Sequence, residues 1–213
     1  MNELQLRGAL CEVGRRLWQR NLIGGAEGNI SCRLSPRQLL ITPSGVSKGH
    51  LKPNELLIID LKGELIKGEG KVSSEYRLHT AIYAGRPDCQ AVVHAHPPVA
   101  TGFALAGEDI PDNLLPESAV VLGSVATVPF AMPGTDEMSE AIAPLVEDHK
   151  TFLLANHGAA AMGSDLYDAC YRMETLERVA TVILHAKTIG GARPLPNTAF
   201  DYLLQNALNG SLQ

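Results

Sequence analysis

Residues 91–98 read AVVHAHPP. Side chains at alternate positions of a strand leave on the same face, so His94 and His96 would project together, at a separation that one metal ion can bridge. The prolines at 97 and 98 cannot extend a hydrogen-bonded ladder, so the strand ends with the second imidazole. Two histidines at a strand end are equally what an ordinary polar rim of a sheet would show. Other residues of the chain must decide between these readings.

Working outward, SSEYRLHTAIYAGRPD (73–88) opens on serines suited to a helix N-cap and closes on Gly-Arg-Pro, so a short helix is expected just before the strand. Leu6, Leu10, Val13 and Leu17 recur at helical spacing ahead of NLIGG. QLLITPSG and ELLIIDLKGELIKGEG read as a strand followed by a hairpin. After the prolines, VATGFALAG reads as helix, SVATVPFAMPG as extended chain, and TDEMSEAIAPLVED as helix with Thr135 as N-cap. TFLLANHGAAAMG reads as two strands around Asn-His-Gly. A last long helix starts near Ser164 and Asp165, carries Ala169, Met173, Leu176, Ala180 and Ile183 on one stripe, and stops at GGARPLP. Alternation of strands and helices around a central sheet predicts a single α/β or α+β domain spanning 1–213. The tail from about 194 is the least determined part.

With 213 residues, 45% of them hydrophobic, the chain can bury one substantial core, and it shows no linker or repeat. Net charge is −5 with scattered Lys and Arg, which argues against a nucleic-acid partner and for a small-molecule substrate. Cys11, Cys32, Cys89 and Cys170 have no C-x-x-C spacing, and Glu3, Arg7 and Glu12 interrupt any leader-like apolar stretch. The apolar runs fall short of a bilayer span. A cytoplasmic protein without membrane association is expected.

Two residues qualify to join the histidine pair. His157 follows an apolar strand in LLANHG, where it would emerge at a sheet end, and Glu75 stands in the first turn of the helix that precedes the strand. Three imidazoles and a carboxylate suit zinc or another divalent transition metal. His50, His79, His149 and His185 fit the cluster less well, His79 being the nearest exception because it follows Glu75 by one helical turn. GGAEGNIS, TPSG and SSE form a second constellation. Their small residues let backbone N–H groups approach a ligand, and Asn29, Ser44, Ser73 and Ser74 add short donors; serines before a helix start would also favour phosphate. Read singly, each is also an ordinary turn or cap.

In this order and spacing, GNIS, TPSG, SSE, HAH and NHG resemble the class II aldolase/adducin family over about residues 3–190. The resemblance implies an α/β fold of α/β/α sandwich type, with helices around a mostly antiparallel sheet, and a homotetramer with active sites between subunits. It also implies zinc held by Glu75, His94, His96 and His157. Substrate phosphate would be bound by Gly28, Asn29, Ser44, Gly45, Ser73 and Ser74, with Glu75 as catalytic base and acid. The implied activity is that of a lyase: reversible cleavage of a ketose 1-phosphate, such as L-fuculose 1-phosphate or a deoxy- or methylthio-pentulose 1-phosphate, to dihydroxyacetone phosphate and an aldehyde.

Other members of the family are a 4-epimerase, a dehydratase, decarboxylases and the non-catalytic adducin head. Glu at 75 differs from the epimerase, which carries Asp there, and HAHPP differs from the HTHS of the epimerase and dehydratase. The presence of all four ligand candidates argues against an adducin-like interaction domain. The family's fuculose-phosphate-type aldolases use a tyrosine after Ile-Pro as the acid–base group at the aldehyde's oxygen, which it protonates in the direction of condensation, whereas IPDNLLPESAVVLG (110–123) has none. Glu117 and Tyr202 are the candidates for that task.

Overall fold

A computed structural model describes residues 1–208; the last residues of the tail, 209–213, lie outside the described part. The stretch 91–95 forms a strand, β5 (Ala91–Ala95), buried along its whole length. In chain order the strands before it are β1 (Asn29–Ser35), β2 (Gln38–Ile41), β3 (Leu57–Asp60) and β4 (Leu65–Lys67). Those after it are β6 (Val125–Val128), β7 (Thr151–Leu154) and β8 (Gly158–Gly163). They build one eight-stranded sheet in the order β4-β3-β2-β1-β5-β8-β7-β6. Every described pairing in it is antiparallel except that of β6 with β7.

The helices are α1 (Glu3–Gln19), α2 (Tyr76–Gly85), α3 (Pro98–Ala106), α4 (Asp136–Ile142), α5 (Leu166–Thr188) and α6 (Asn197–Leu208). On one face, α1, α3 and α5 cover an apolar cluster that takes Ile30, Cys32, Ala91, Val93 and Ala95 from the sheet. On the other, α2 and α4 cover Leu39, Ile41, Val92, Phe152 and Ala160. The alternation of Ala91, Val92 and Val93 between the two clusters is the two-residue period of a strand buried on both sides. All four cysteines are buried and free.

Three elements differ from the reading of the sequence. GNISCRLS is not only a glycine-rich turn, because Ile30 and Cys32 alternate with Asn29 and Ser31 to make β1, next to β5. Glu75, not a serine, occupies the N-cap of α2 (φ −89°, ψ 13°); Ser73 acts two residues earlier, its Oγ accepting the Glu75 N–H at 3.3 Å. The tail from Pro194 carries α6, which packs against a π-helical turn at Ser118–Leu122. Thr135 is the N-cap of α4 as expected, but its hydroxyl donates to the Met132 carbonyl instead of capping. No described helix is long and apolar enough to cross a membrane.

Candidate metal and phosphate site

The prolines after HAH start α3: Pro98 takes its first turn, and Glu177 of α5 accepts the N–H groups of Val99 and Ala100 at 2.9–3.1 Å. This joint fixes the chain as it leaves β5 and so holds His96 beyond the strand end. His157 is held by the turn between β7 and β8. Asn156 lies in the left-handed region (φ 57°), which asparagine tolerates better than most residues. Gly158 is required because a Cβ there would come within 2.6 Å of the His96 ring. The motif Asn-His-Gly is thus the turn that lets two imidazoles touch.

The three rings stack edge to face with centroids 4.8–5.1 Å apart, and one nitrogen from each lies within 4.8 Å of the others. Glu75 reaches the cluster from the start of α2, with oxygens 3.4 Å from His94 Nε2 and 3.2 Å from His157 Nε2. The Nδ1 atoms of His94 and His96 are engaged outward, with the Ala159 carbonyl at 2.9 Å and a Glu27 oxygen at 3.1 Å. Acceptors on both Nδ1 atoms make them the N–H side of each ring, which turns two Nε2 lone pairs toward each other at 3.3 Å. Lone pairs at that distance repel unless a cation stands between them, so the donor set fits a divalent metal.

The electrostatics agree. Burial disfavours charge on His94, but the Glu75 carboxylate more than offsets it and raises the ring's proton affinity. Burial likewise pushes the Glu75 carboxyl up, yet the charge of His94 and hydrogen bonds from His157 and His94 outweigh it and hold Glu75 well below the usual carboxylate range. Burial and the neighbouring His94 lower His96. A place that attracts a proton this way also attracts a metal cation.

The small-residue turns lie together on the adjoining rim. The Ile30 N–H donates to Thr42 Oγ1, Pro43 bridges to Val72, and the Ser44 N–H donates to the Lys71 carbonyl at 2.9 Å. These contacts set 28–30, 42–45 and 71–74 side by side, with Glu75 next in the chain. Ser73 is buried, Ser74 and Gly45 are exposed, and Ser44 is partly so. Gly28 has φ 67°, and a Cβ there would meet the His94 carbonyl oxygen at 2.8 Å. The Asn29 side chain is engaged inside the protein, where it donates to Glu75 Oε2 at 2.8 Å and accepts from His79.

Sequence reasoning passed over Glu27 and Lys48. Glu27 could have been marked as a carboxylate inside the glycine-rich turn; Lys48, buried with its ammonium on the Ala26 carbonyl at 2.6 Å, gave no local signal. Of the candidates for a second proton donor, Glu117 lines a separate cleft of about 460 Å³ with Arg20 and Arg178, and Tyr202 is 62% exposed on α6. Neither is hydrogen-bonded to the cluster among the described residues.

With this geometry in hand, comparison with known proteins places the chain. Residues 8–184 match the Class II Aldolase and Adducin N-terminal domain family, and the chain belongs to it. It is 37% identical over 186 residues to the 3-oxo-tetronate 4-phosphate decarboxylase of Pectobacterium atrosepticum, covering 85% of each chain. It is 34% identical over 204 residues to the 5-methylthioribulose-1-phosphate/5-deoxyribulose-1-phosphate aldolase of Rhodospirillum rubrum, covering 96% of this chain and 91% of that one. Among solved structures, an L-fuculose 1-phosphate aldolase superposes with a TM-score of 0.87 at 30% identity, covering 95% of both chains. The fold is that of class II aldolases, and these relatives act on sugar phosphates.

Proposed function

We propose that the protein removes carbon dioxide from a small phosphorylated 3-oxo acid. In this reading His94, His96, His157 and Glu75 hold a divalent metal, zinc by its donor set, and Glu75 carries the proton. The carrying observation is that, among the described residues, a single carboxylate, Glu75, reaches into the histidine cluster, while Glu27 is tied to the outer edge of His96 and to the Gly24 N–H.

Loss of carbon dioxide moves the C1–C2 electron pair toward the C3 carbonyl and leaves an enediolate that takes up one proton at C2. Aldol cleavage of a ketose 1-phosphate leaves the same three-carbon enediolate but also needs a base for the hydroxyl of the departing aldehyde. The first reaction asks for acid–base action at one atom, C2, with the proton drawn from solvent through Glu75, whereas the second asks for it at two separated atoms, the hydroxyl oxygen and the carbon. The missing tyrosine in 110–123 and the 37% identity to a decarboxylase support the same choice.

A divalent cation held by this set supplies Lewis acidity that draws negative charge onto the carbonyl oxygen. Glu75, whose oxygens face the cluster, is placed to take a proton from solvent once substrate frees it from the metal and to deliver that proton to carbon. Backbone N–H groups at Gly28 and Gly45 and the hydroxyls of Ser44, Ser73 and Ser74 hold the phosphate through neutral donors, which fixes the reacting carbon against Glu75. The assembly is a homotetramer with sites between subunits. The exposed Phe130 and Met132, close in sequence to the Gly134 that packs on Ser74, support a partner surface there.

Aldol cleavage is the second reading, favoured by the 34% identity to the Rhodospirillum rubrum aldolase across 96% of this chain. One experiment separates them: carbon dioxide release from 3-oxo-tetronate 4-phosphate measured beside dihydroxyacetone phosphate formation from a panel of ketose 1-phosphates. Decarboxylation at a kcat/KM about 10² or more above that for any ketose phosphate is expected. Cleavage of a ketose phosphate without carbon dioxide release from the oxo acid would overturn the assignment.

A further inference from the structure

Behind Glu75 runs a buried polar chain that neither metal nor phosphate binding explains. Asn29 Nδ2 donates to Glu75 Oε2 at 2.8 Å, and Asn29 Oδ1 meets His79 Nε2. His79 Nδ1 lies 2.7 Å from Ser31 Oγ, which lies 2.9 Å from the Tyr83 hydroxyl. Asn29, Ser31, His79 and Tyr83 are all buried, His79 and Ser31 completely.

We propose that His79 is a positioning residue that sets the orientation of the Glu75 carboxylate by dictating which end of the Asn29 amide faces it. A carboxylate only accepts, so Asn29 must show it the amino end, and the amide oxygen is left to His79. His79 must then carry its proton on Nε2, which leaves Nδ1 bare to accept from the Ser31 hydroxyl, which in turn accepts from Tyr83. Burial keeps the ring neutral by pushing its pKa down to about 3, and keeps the Tyr83 phenol protonated. Each link donates toward Glu75, so reversing any one sets two donors or two acceptors face to face in a site closed to water.

The chain is not a proton exit. It ends inside the protein at Tyr83, and an amide cannot pass a proton at useful cost. Its effect is to hold one Glu75 oxygen, Oε2, at a fixed place and so to fix the direction of the other, Oε1, which lies 3.2 Å from His157 Nε2. Asn29 and Ser31 come from β1 and His79 and Tyr83 from α2, so the packing of that helix on that strand is converted into the aim of one carboxylate.

This inference rests on Glu75 being the proton carrier, and the test separates the two. Proton–nitrogen correlation spectra of the metal-free, 15N-histidine protein should show His79 as the Nε2–H tautomer; an Nδ1–H tautomer overturns the proposal without any assay. His79→Phe keeps the ring and loses the donor, and should lower kcat about 10-fold or more while KM for the phosphorylated substrate changes less than about 3-fold. His79→Gln can place an N–H near the Nε2 position and should recover most of that loss. Should His79→Phe fail to fold, Ser31→Ala serves, with kcat expected to fall about 3-fold or more at unchanged KM. A variant that only loses thermal stability at wild-type kcat, or a glutamine variant no better than phenylalanine, overturns the positioning role. Full turnover in Glu75→Gln would instead remove the proton-carrier reading.

Discussion

On the neighbouring strands β1 and β5 the two faces of the sheet have opposite characters. Ile30, Cys32, Ala91, Val93 and Ala95 turn toward α1, α3 and α5 into an apolar cluster that includes Met173, Leu176, Val179 and Ala180 of α5. Their neighbours Asn29, Ser31 and His94 turn toward α2 and are buried just as deeply, as polar groups held by hydrogen bonds. Asn29 and His94 are direct partners across the strands. Burial on the first face stabilises through area removed from water. On the second it raises the energetic cost of every unpaired group, and so enforces a unique arrangement of donors and acceptors. Stability and chemistry thus share a backbone and are separated by the pleat.

The separation can be broken from either side. The largest effect is expected from Leu176→Ala, which leaves a void in the apolar face: stability should fall by about 2–5 kcal/mol in denaturant unfolding. Per-site kcat and metal content should stay near wild type at a temperature where the variant is folded. A parallel loss of kcat would show that the faces are coupled.

Glu75→Gln is the mirror experiment. It keeps the side-chain size and one acceptor oxygen but cannot carry a proton, so kcat should fall by about 10² while stability and stoichiometric metal are largely retained. Elemental analysis and kinetics on one preparation check it. Near-wild-type turnover would reduce Glu75 to a carboxylate at a helix start, worth about 0.3–1 kcal/mol through the helix dipole.

Ser73→Ala probes the rim next to the cluster. Loss of one hydrogen bond to a phosphate should cost about 1–3 kcal/mol, read mainly as a higher KM for the phosphorylated substrate. Equal turnover of the dephosphorylated compound by the wild type would contradict the phosphate role of all three turns.

The smallest effect is a pH dependence confined to the polar face. His79 sits near 3 when folded, against an ordinary 6.5 when unfolded, so the unfolded chain binds more protons between those values. Its contribution to stability is therefore complete above pH 6.5 and is lost as pH falls toward 3. Between pH 7.5 and 5.5 this amounts to about 1 kcal/mol. The difference in unfolding free energy between wild type and His79→Gln, measured at both pH values, isolates it from the other histidines. No change in that difference would mean that the ring is not held neutral.

Much of the site was legible because its motifs are short and each has a local cause. The alternation in AVVHAH, the stop imposed by two prolines, and the Asn-His-Gly turn can be read within a few residues. The same holds for the serines ahead of α2, although their cap falls on Glu75 and not on a serine. What escaped was pairing at a distance. Asn29 looked like a free donor in a glycine-rich turn, but β1 carries it against α2, where Glu75 and His79 take both ends of its amide across 46 and 50 residues of chain. Glu27 joined the site only because the same loop passes the outer edge of His96. The α6 helix is as amphipathic as α2 and could have been read from its own pattern; the structure adds its docking place, the turn at Ser118–Leu122.

The sequence by itself determined the strand that carries the histidine pair, the identity of the metal-suited donors, and each small-residue turn taken singly, since residue type and spacing act through backbone sterics and side-chain chemistry over one or two turns of chain. Only the tertiary structure decided which donors remain free for a ligand and which are consumed inside the protein. Strand order placed β1 beside β5, and the packing of α2 on that pair joined Asn29, His79, Ser31 and Tyr83 into one line ending on Glu75. A hydrogen bond is directional and short. Whether a buried polar group meets its partner is therefore fixed by register and packing to within a fraction of an ångström, a precision that composition and spacing do not carry.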